Sequence, residues 1–175
     1  RNLSITKAKL LTKIRTKKSK IVALTVNPDD IFLQKIKNCI KPDYIQLHGE
    51  ETPIRCKDIR DKFNIPVIKG IGIGKNIDLK RYIKPYAEIC DILILDAPSE
   101  ELPGGNGKKF NWEILKNYKP QKKWMLAGGL NINNISEAID ITKPPAIDIS
   151  SGLETKKGIK DPQLIKNFVL KCKNL

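Results

Sequence analysis

The residues that could do chemistry in this chain close off short apolar runs. Residues 43–48 (DYIQLH) end on Gln46 and His48, the only histidine. Residues 91–96 (DILILD) end on Asp96, and a loop closing on Pro103-Gly104-Gly105-Asn106-Gly107 follows. Residues 123–126 (KWML) run toward Gly128-Gly129, and 146–149 (AIDI) carry Asp148 into Ser150-Ser151-Gly152. A carboxylate in such a place is either a turn or cap residue or an acid whose charged form is disfavoured by the apolar strand behind it. Small loops rich in N–H groups that lead into a helix are ready phosphate sites, although tight turns and caps look the same. Proton transfer and phosphate binding are the chemistries these residue types allow.

The elements that must position them alternate regularly. Apolar runs at 20–26, 43–48, 66–70, 91–96, 123–126 and 146–149 read as strands. Helical spacing is expected at 29–39, 52–63, 77–83, 112–118, 132–141 (with Asn131 or Asn133 as N-cap) and 162–172, and a further helical pattern begins almost at the first residue. Short, nearly all-apolar strands separated by helices predict βαβ units and a parallel sheet covered on both faces. An open doubly wound sheet wants a glycine fingerprint after its first strand, and none is present. The stretch GIGIGK at 70–75 fits neither nucleotide-loop spacing and reads as a strand end with a flexible loop. A (βα)₈ barrel instead carries its chemistry at the carboxyl ends of its strands, with phosphate on the loops after the last two, which is where Gly-Gly and Ser-Ser-Gly fall. Six strands are about two too few for a closed barrel, and the chain opens on Arg1. The expectation is one domain over residues 1–175, an α/β (βα)₈ barrel lacking about its first two strands.

Composition narrows the class. With 175 residues, 40% hydrophobic and 30% charged, the chain can bury a core, and no apolar run reaches the ~18–20 residues of a membrane span. The four cysteines, Cys39, Cys56, Cys90 and Cys172, are far apart and form neither a zinc spacing nor a disulfide framework, so a cytoplasmic setting is expected. A net charge of +14 invites a nucleic-acid reading. The lysines are spread along the chain, and only 6% of residues are aromatic, so a solvated basic surface that attracts a small phosphorylated anion is favoured.

Five blocks then carry a resemblance: Gln46-Leu47-His48-Gly49-Glu50, Leu95-Asp96, Gly104 through Trp112 (GGNGKKFNW), Leu126 through Asn131 (LAGGLN) and Ile147 through Glu154 (IDISSGLE). In this order and at these intervals they resemble the phosphoribosylanthranilate isomerases of tryptophan biosynthesis, and Lys157-Gly158-Ile159-Lys160-Asp161 fits as well. The resemblance covers essentially the whole chain and implies a (βα)₈ barrel. It also implies an aldose–ketose isomerase that converts N-(5-phosphoribosyl)anthranilate to 1-(2-carboxyphenylamino)-1-deoxyribulose 5-phosphate without metal or cofactor. That Amadori rearrangement needs an acid on the furanose oxygen and a base on the C2 proton. The resemblance makes Asp96 the general acid. A free Asp near pKa 3.9 is protonated about once in a thousand at pH 7, so a half-protonated donor needs a shift of ~3 units, or ~4 kcal/mol.

The same resemblance assigns the substrate's surroundings. Gly128, Gly129, Ser150, Ser151 and Gly152 match the phosphate loops, and Gly105 lies in the glycine loop that approaches or folds over the substrate. Asp148 hydrogen-bonds the ribulose hydroxyls or holds its loop, and Gln46 and His48 line the site. Arg1 aligns with the arginine that pairs with the anthranilate carboxylate. The family's base, a cysteine in a Lys-Ile-Cys-Gly motif of the first strand, has no counterpart, and none of the four cysteines is given that role. Without it, poor or no turnover is expected of these residues alone. The rival readings are an indole-3-glycerol-phosphate synthase-like barrel, for which Lys69 ends a strand but a matching acid is not obvious, and a non-enzymatic basic domain that binds RNA.

Overall fold

The computed structural model describes residues 3–74, 78–96, 99–101, 108–118 and 120–175. They form two compact units, one of Arg1–Ile71 with Ile83–Leu93, the other of Gly72–Tyr82 with Ile94–Leu175.

The first unit opens on α1 (Ile5–Thr12), capped by Ser4, whose hydroxyl accepts from the Lys7 N–H. Then follow β1 (Val22–Thr25), α2 (Asp30–Ile40), β2 (Tyr44–Leu47), α3 (Pro53–Phe63) and all but the last residue of β3 (Val67–Gly72). Neighbouring strands are parallel, in register from Val22 opposite Tyr44 to Thr25 opposite Leu47, and from Ile45 opposite Val67 to Leu47 opposite Lys69. Sequence explains the helices. Asp29 accepts from the Phe32 N–H to cap α2, and Thr52 accepts from the Arg55 N–H to cap α3, with Pro53 in its first turn. Leu33, Ile36 and Ile40 fall at three- and four-residue intervals, and with Ile45, Leu47, Ile59, Phe63 and Val67 they make the core.

The second unit holds the end of β4 (Ile92–Asp96), a hairpin of β5 (Ser99–Glu101) and β6 (Lys108–Phe110), and a 3₁₀ turn at Glu113–Leu115. It continues with β7 (Trp124–Ala127), α5 (Ile135–Thr142), a second 3₁₀ turn at Ser151–Leu153, a hairpin of β8 (Glu154–Lys156) and β9 (Ile159–Lys160), and α6 (Pro162–Lys173). Trp112, Leu115, Trp124, Leu126, Leu130, Ile135, Leu153 and Phe168 are among its buried side chains. Across the chain the order of strands in the main sheet is β1-β2-β3-β4-β7.

The departures from expectation have local causes. The helix α4 (Leu79–Ile89) does not stop near Ile83 but runs through Pro85, giving up one backbone bond. Residues 146–149 form no strand. Ile147 makes a single parallel bridge to Leu126, and the prolines at 144 and 145 have no N–H with which to lengthen the ladder. The 112–118 helix shrinks to one 3₁₀ turn, and α5 starts at Ile135 behind Asn134 rather than behind Asn131 or Asn133. GIGIGK is a strand end as far as Gly72. Among the described residues no helix is long and apolar enough to cross a membrane.

Candidate active site

In the first unit the strand ends are fastened by a buried ion pair. The side chains of Lys69 on β3 and Glu51 after β2 are 4% and 2% exposed. Lys69 Nζ donates to Glu51 Oε2 at 3.0 Å, to the Gly49 carbonyl at 2.7 Å and to the Leu47 carbonyl at 3.4 Å. Glu51 also accepts from the N–H groups of Asn27 at 2.7 Å and Gly49 at 3.0 Å, while Asn27 Oδ1 accepts from the Glu50 N–H at 2.8 Å. The loops after β1 and β2 are thereby locked to β3. Burial opposes the charge on Glu51, but the bonds from Lys69 and from backbone N–H groups outweigh it and hold the carboxyl below its ordinary 4.5. The acid partner of Lys69 that the sequence leaves open is thus Glu51, and the pair is buried.

Glu51→Gln leaves a buried ammonium without its counter-charge, and should cost ~1.5–3 kcal/mol in a urea titration at pH 7. Because the folded carboxyl is lowered, its contribution is full above the ordinary 4.5 and is lost as pH falls through the folded value. The stability gap between wild type and Glu51→Gln should therefore close below pH 4.5. A gap that stayed constant to pH 2 would locate the effect elsewhere.

Gln46 and His48 sit on the same strand end. Gln46 is buried and His48 exposed, with Gln46 Nε2 3.3 Å from His48 Nδ1. With the amide donating, Nδ1 accepts and the ring proton lies on Nε2. The imidazole rests on Gly70, where a Cβ would lie 2.3 Å from Nδ1 and 2.8 Å from Cε1. Gly70→Ala should push the ring off this seat at little cost in stability, because the exposed ring can swing aside, and should move the ring-proton resonances of the single histidine. Unshifted resonances would mean that His48 does not sit there.

The second unit carries the acid and the glycine loops. Asp96 is half-buried at the end of β4, behind buried Leu93, Ile94 and Leu95, and its carbonyl accepts from the Ile73 N–H at 2.9 Å. After β7, Gly128 and Gly129 adopt φ of 102° and 56°, a region that side chains resist. The Gly129 carbonyl accepts from the side-chain amides of Asn131 at 3.3 Å and Asn134 at 3.0 Å, and Asn134 Oδ1 accepts from the Asn131 N–H at 2.8 Å. Asn131 therefore braces the loop instead of capping α5.

The second loop is docked on the first. The Leu126 N–H donates to the Ala146 carbonyl at 3.0 Å and the Asp148 N–H to the Leu126 carbonyl at 2.8 Å, which places half-buried Asp148 beside the end of β7. Ser150 and Ser151 are exposed, whereas Gly152 is half-buried. A Cβ there would lie 2.0 Å from the Leu130 carbonyl oxygen. Asp96, Gly128, Gly129, Asp148, Ser150, Ser151 and Gly152 are thus gathered in one unit, and Gln46 and His48 belong to the other. Arg1 and Gly105 lie outside the described residues. Among the described residues no cluster of His, Cys, Asp and Glu could hold a metal ion.

The four cysteines are elsewhere. Cys39, Cys56 and Cys172 lie on α2, α3 and α6, and Cys90 precedes β4. Cys56 and Cys90 are buried side by side, and the bond from Cys56, with burial, pushes the Cys90 thiol up. Cys39 is exposed and not the packed residue its type suggests. Sequence reading picks out Lys69 only as a strand-end residue and Asn131 only as a possible N-cap, and it misses Glu51 and Asn134, which look like ordinary surface or loop residues.

A family model for N-(5'phosphoribosyl)anthranilate (PRA) isomerase matches residues 1–171. The chain belongs to this family. An N-(5'-phosphoribosyl)anthranilate isomerase of Mesorhizobium japonicum is 43% identical over 154 residues, spanning 86% of this chain and 70% of the relative. That of Chelativorans sp. is 39% identical over 171 residues, spanning 96% and 78%. Among solved structures, phosphoribosyl anthranilate isomerase from Thermotoga maritima aligns with a TM-score of 0.84 at 32% identity, covering 99% of this chain and 82% of that one. A phosphoribosyl anthranilate isomerase in complex with reduced 1-(o-carboxyphenylamino)-1-deoxyribulose 5-phosphate aligns with a TM-score of 0.81 at 29% identity, covering 99% and 81%. PRA isomerase membership bears out the resemblance read from the five blocks, the α/β class with its (βα)₈-barrel pattern, and the assignment to the isomerases of tryptophan biosynthesis.

Proposed function

We propose that the chain acts on N-(5-phosphoribosyl)anthranilate, with Asp96 as general acid and the two small-residue loops as the phosphate cradle. The observation that carries this reading is the likeness to the isomerase structure holding a phosphorylated, reduced aminoketose, together with the placement of Asp96 and both loops in one compact unit. Asp96 gives its proton to the furanose oxygen, so the C1–O bond breaks as a neutral hydroxyl leaves and a protonated Schiff base forms. Loss of the C2 proton then gives the enolamine, which tautomerises to the ketone. The chain's own groups bind and orient the substrate and deliver the first proton. Gly128, Gly129, Ser150, Ser151 and Gly152 present backbone N–H groups and hydroxyls to the phosphate, and Asp148 takes the sugar hydroxyls or steadies its loop. Gln46 and His48 are the further substrate-binding candidates that the resemblance implies. No cysteine is assigned as base, since none stands at the carboxyl end of a strand. The substrate is a small phosphorylated anion, nucleic acid has no part in the reaction, and the setting is the cytoplasm.

The test is the loss of anthranilate-type fluorescence after mixing the protein with freshly formed phosphoribosylanthranilate. Decay proportional to enzyme concentration is expected of a form that carries the base. If an N-terminally extended form and this chain are both silent, the reading is wrong.

A further inference from the structure

A surface lysine outside the glycine loops is built into the second of them. Lys160, on β9, donates through Nζ to the Ser150 carbonyl at 2.6 Å, to Ser150 Oγ at 3.2 Å and to Glu154 Oε1 at 2.8 Å. Glu154 is firmly held. Its side chain is 5% exposed, and its other oxygen accepts from the Gly158 N–H at 3.1 Å in the turn between β8 and β9. The next residue, Asp161, ties the same segment down again. Its N–H donates to the Leu153 carbonyl at 2.9 Å, and its carboxylate caps α6 through the N–H groups of Gln163 at 2.7 Å and Leu164 at 3.1 Å.

We infer that Lys160 is the positioning residue of the phosphate loop, which it sets through the Ser150 carbonyl. This rests on the reading of the 150–152 loop as a phosphate cradle. In a trans, planar peptide the C=O and the following N–H point in opposite directions. By holding the Ser150 oxygen on the side of the hairpin, Lys160 turns the Ser151 N–H to the other side, as a donor for an anion. The hold is needed because Ser150 has φ −129° and ψ −80°, outside the ordinary strand and helix regions, and Ser150 and Ser151 are exposed, so packing does not fix them. A charge-assisted bond of 2.6 Å does what packing does not. The ligand class is a sugar phosphate monoester.

The test titrates the full chain with ribose 5-phosphate, followed by ³¹P resonance shifts, with ribose as the phosphate-free control. Lys160→Met should weaken ribose 5-phosphate binding about tenfold or more, and Lys160→Arg, which keeps a cationic donor, should stay within about threefold of wild type. Circular dichroism melts of both variants check folding independently, and a role confined to the stability of the hairpin would lower the midpoint of Lys160→Met while leaving binding by the folded protein unchanged. Ser151→Asp, which sets a carboxylate in the exposed loop, reads the cradle itself and should abolish binding. If Ser151→Asp abolishes binding while Lys160→Met binds like wild type, the role of Lys160 is overturned and the cradle stands. If Ser151→Asp binds like wild type, the cradle reading falls and this inference with it.

Discussion

In a form of the protein that carries the base, Asp96→Asn is expected to lower kcat by ~10²–10⁴-fold, the usual worth of a positioned general acid, with KM changed by no more than about threefold. A carboxamide has nearly the size of the carboxyl group and fills its place at the end of β4, but it cannot hand over a proton. The furanose oxygen would then leave as an alkoxide, and the ring would stay closed. The competing role for Asp96 is a strand-end turn or cap, and the two roles part cleanly in measurement. A proton donor loses kcat with the thermal midpoint nearly unchanged. A structural residue loses midpoint while kcat survives, and retained turnover in Asp96→Asn would remove the acid assignment. Asp96 follows directly on the buried run Leu93, Ile94 and Leu95 and is itself half-buried, a setting in which an acid reading is physical.

How much of this was legible beforehand depends on how local the signal is. Asp29 and Thr52 announce α2 and α3 because a cap acts over three residues, and the run ILIL, bounded by Asp91 and Asp96 and too short for a helix, announces β4. The two loops of the candidate cradle were readable for the same reason, each being a compact run of small residues. The Glu51–Lys69 pair was not, because its members stand 18 residues apart and each resembles a solvated charge. Lys160 was hidden in a Lys-rich stretch for a related reason. Its bond to Ser150 crosses a hairpin, whose turn signal, Lys157-Gly158 with Gly158 at φ 86°, is short and flanked by charge rather than by alternating apolar residues. The apolar spacing ends at Ile83, whereas α4 runs on through Pro85 to Ile89, a continuation that no local signal announces. Residues 146–149 were read as a full strand on composition, though only Ile147 pairs.

Gly152→Ala tests the cradle by shape. At this position the obstacle is a backbone carbonyl, that of Leu130, only 2.0 Å from where the new Cβ would sit, with the Asn131 Cβ at 3.0 Å behind it. A flexible side chain could swing aside, but the Leu130 carbonyl belongs to the segment braced by Asn131 and Asn134 on Gly129. One loop must therefore move by about an ångström, and a misplacement of that size costs on the order of 10²-fold in binding or catalysis. In a form that carries the base, the expected outcome is a KM raised about a hundredfold, and a matching loss of inhibition by inorganic phosphate, because the cradle reading makes both depend on the same N–H groups. Some ~1–3 kcal/mol of stability should go with it as overpacking strain. Inhibition by an analogue that lacks the phosphate should change far less, since the damage is confined to the loops. If phosphate still competed as in wild type, the 150–152 loop would not be where the phosphate binds, however well its residues match.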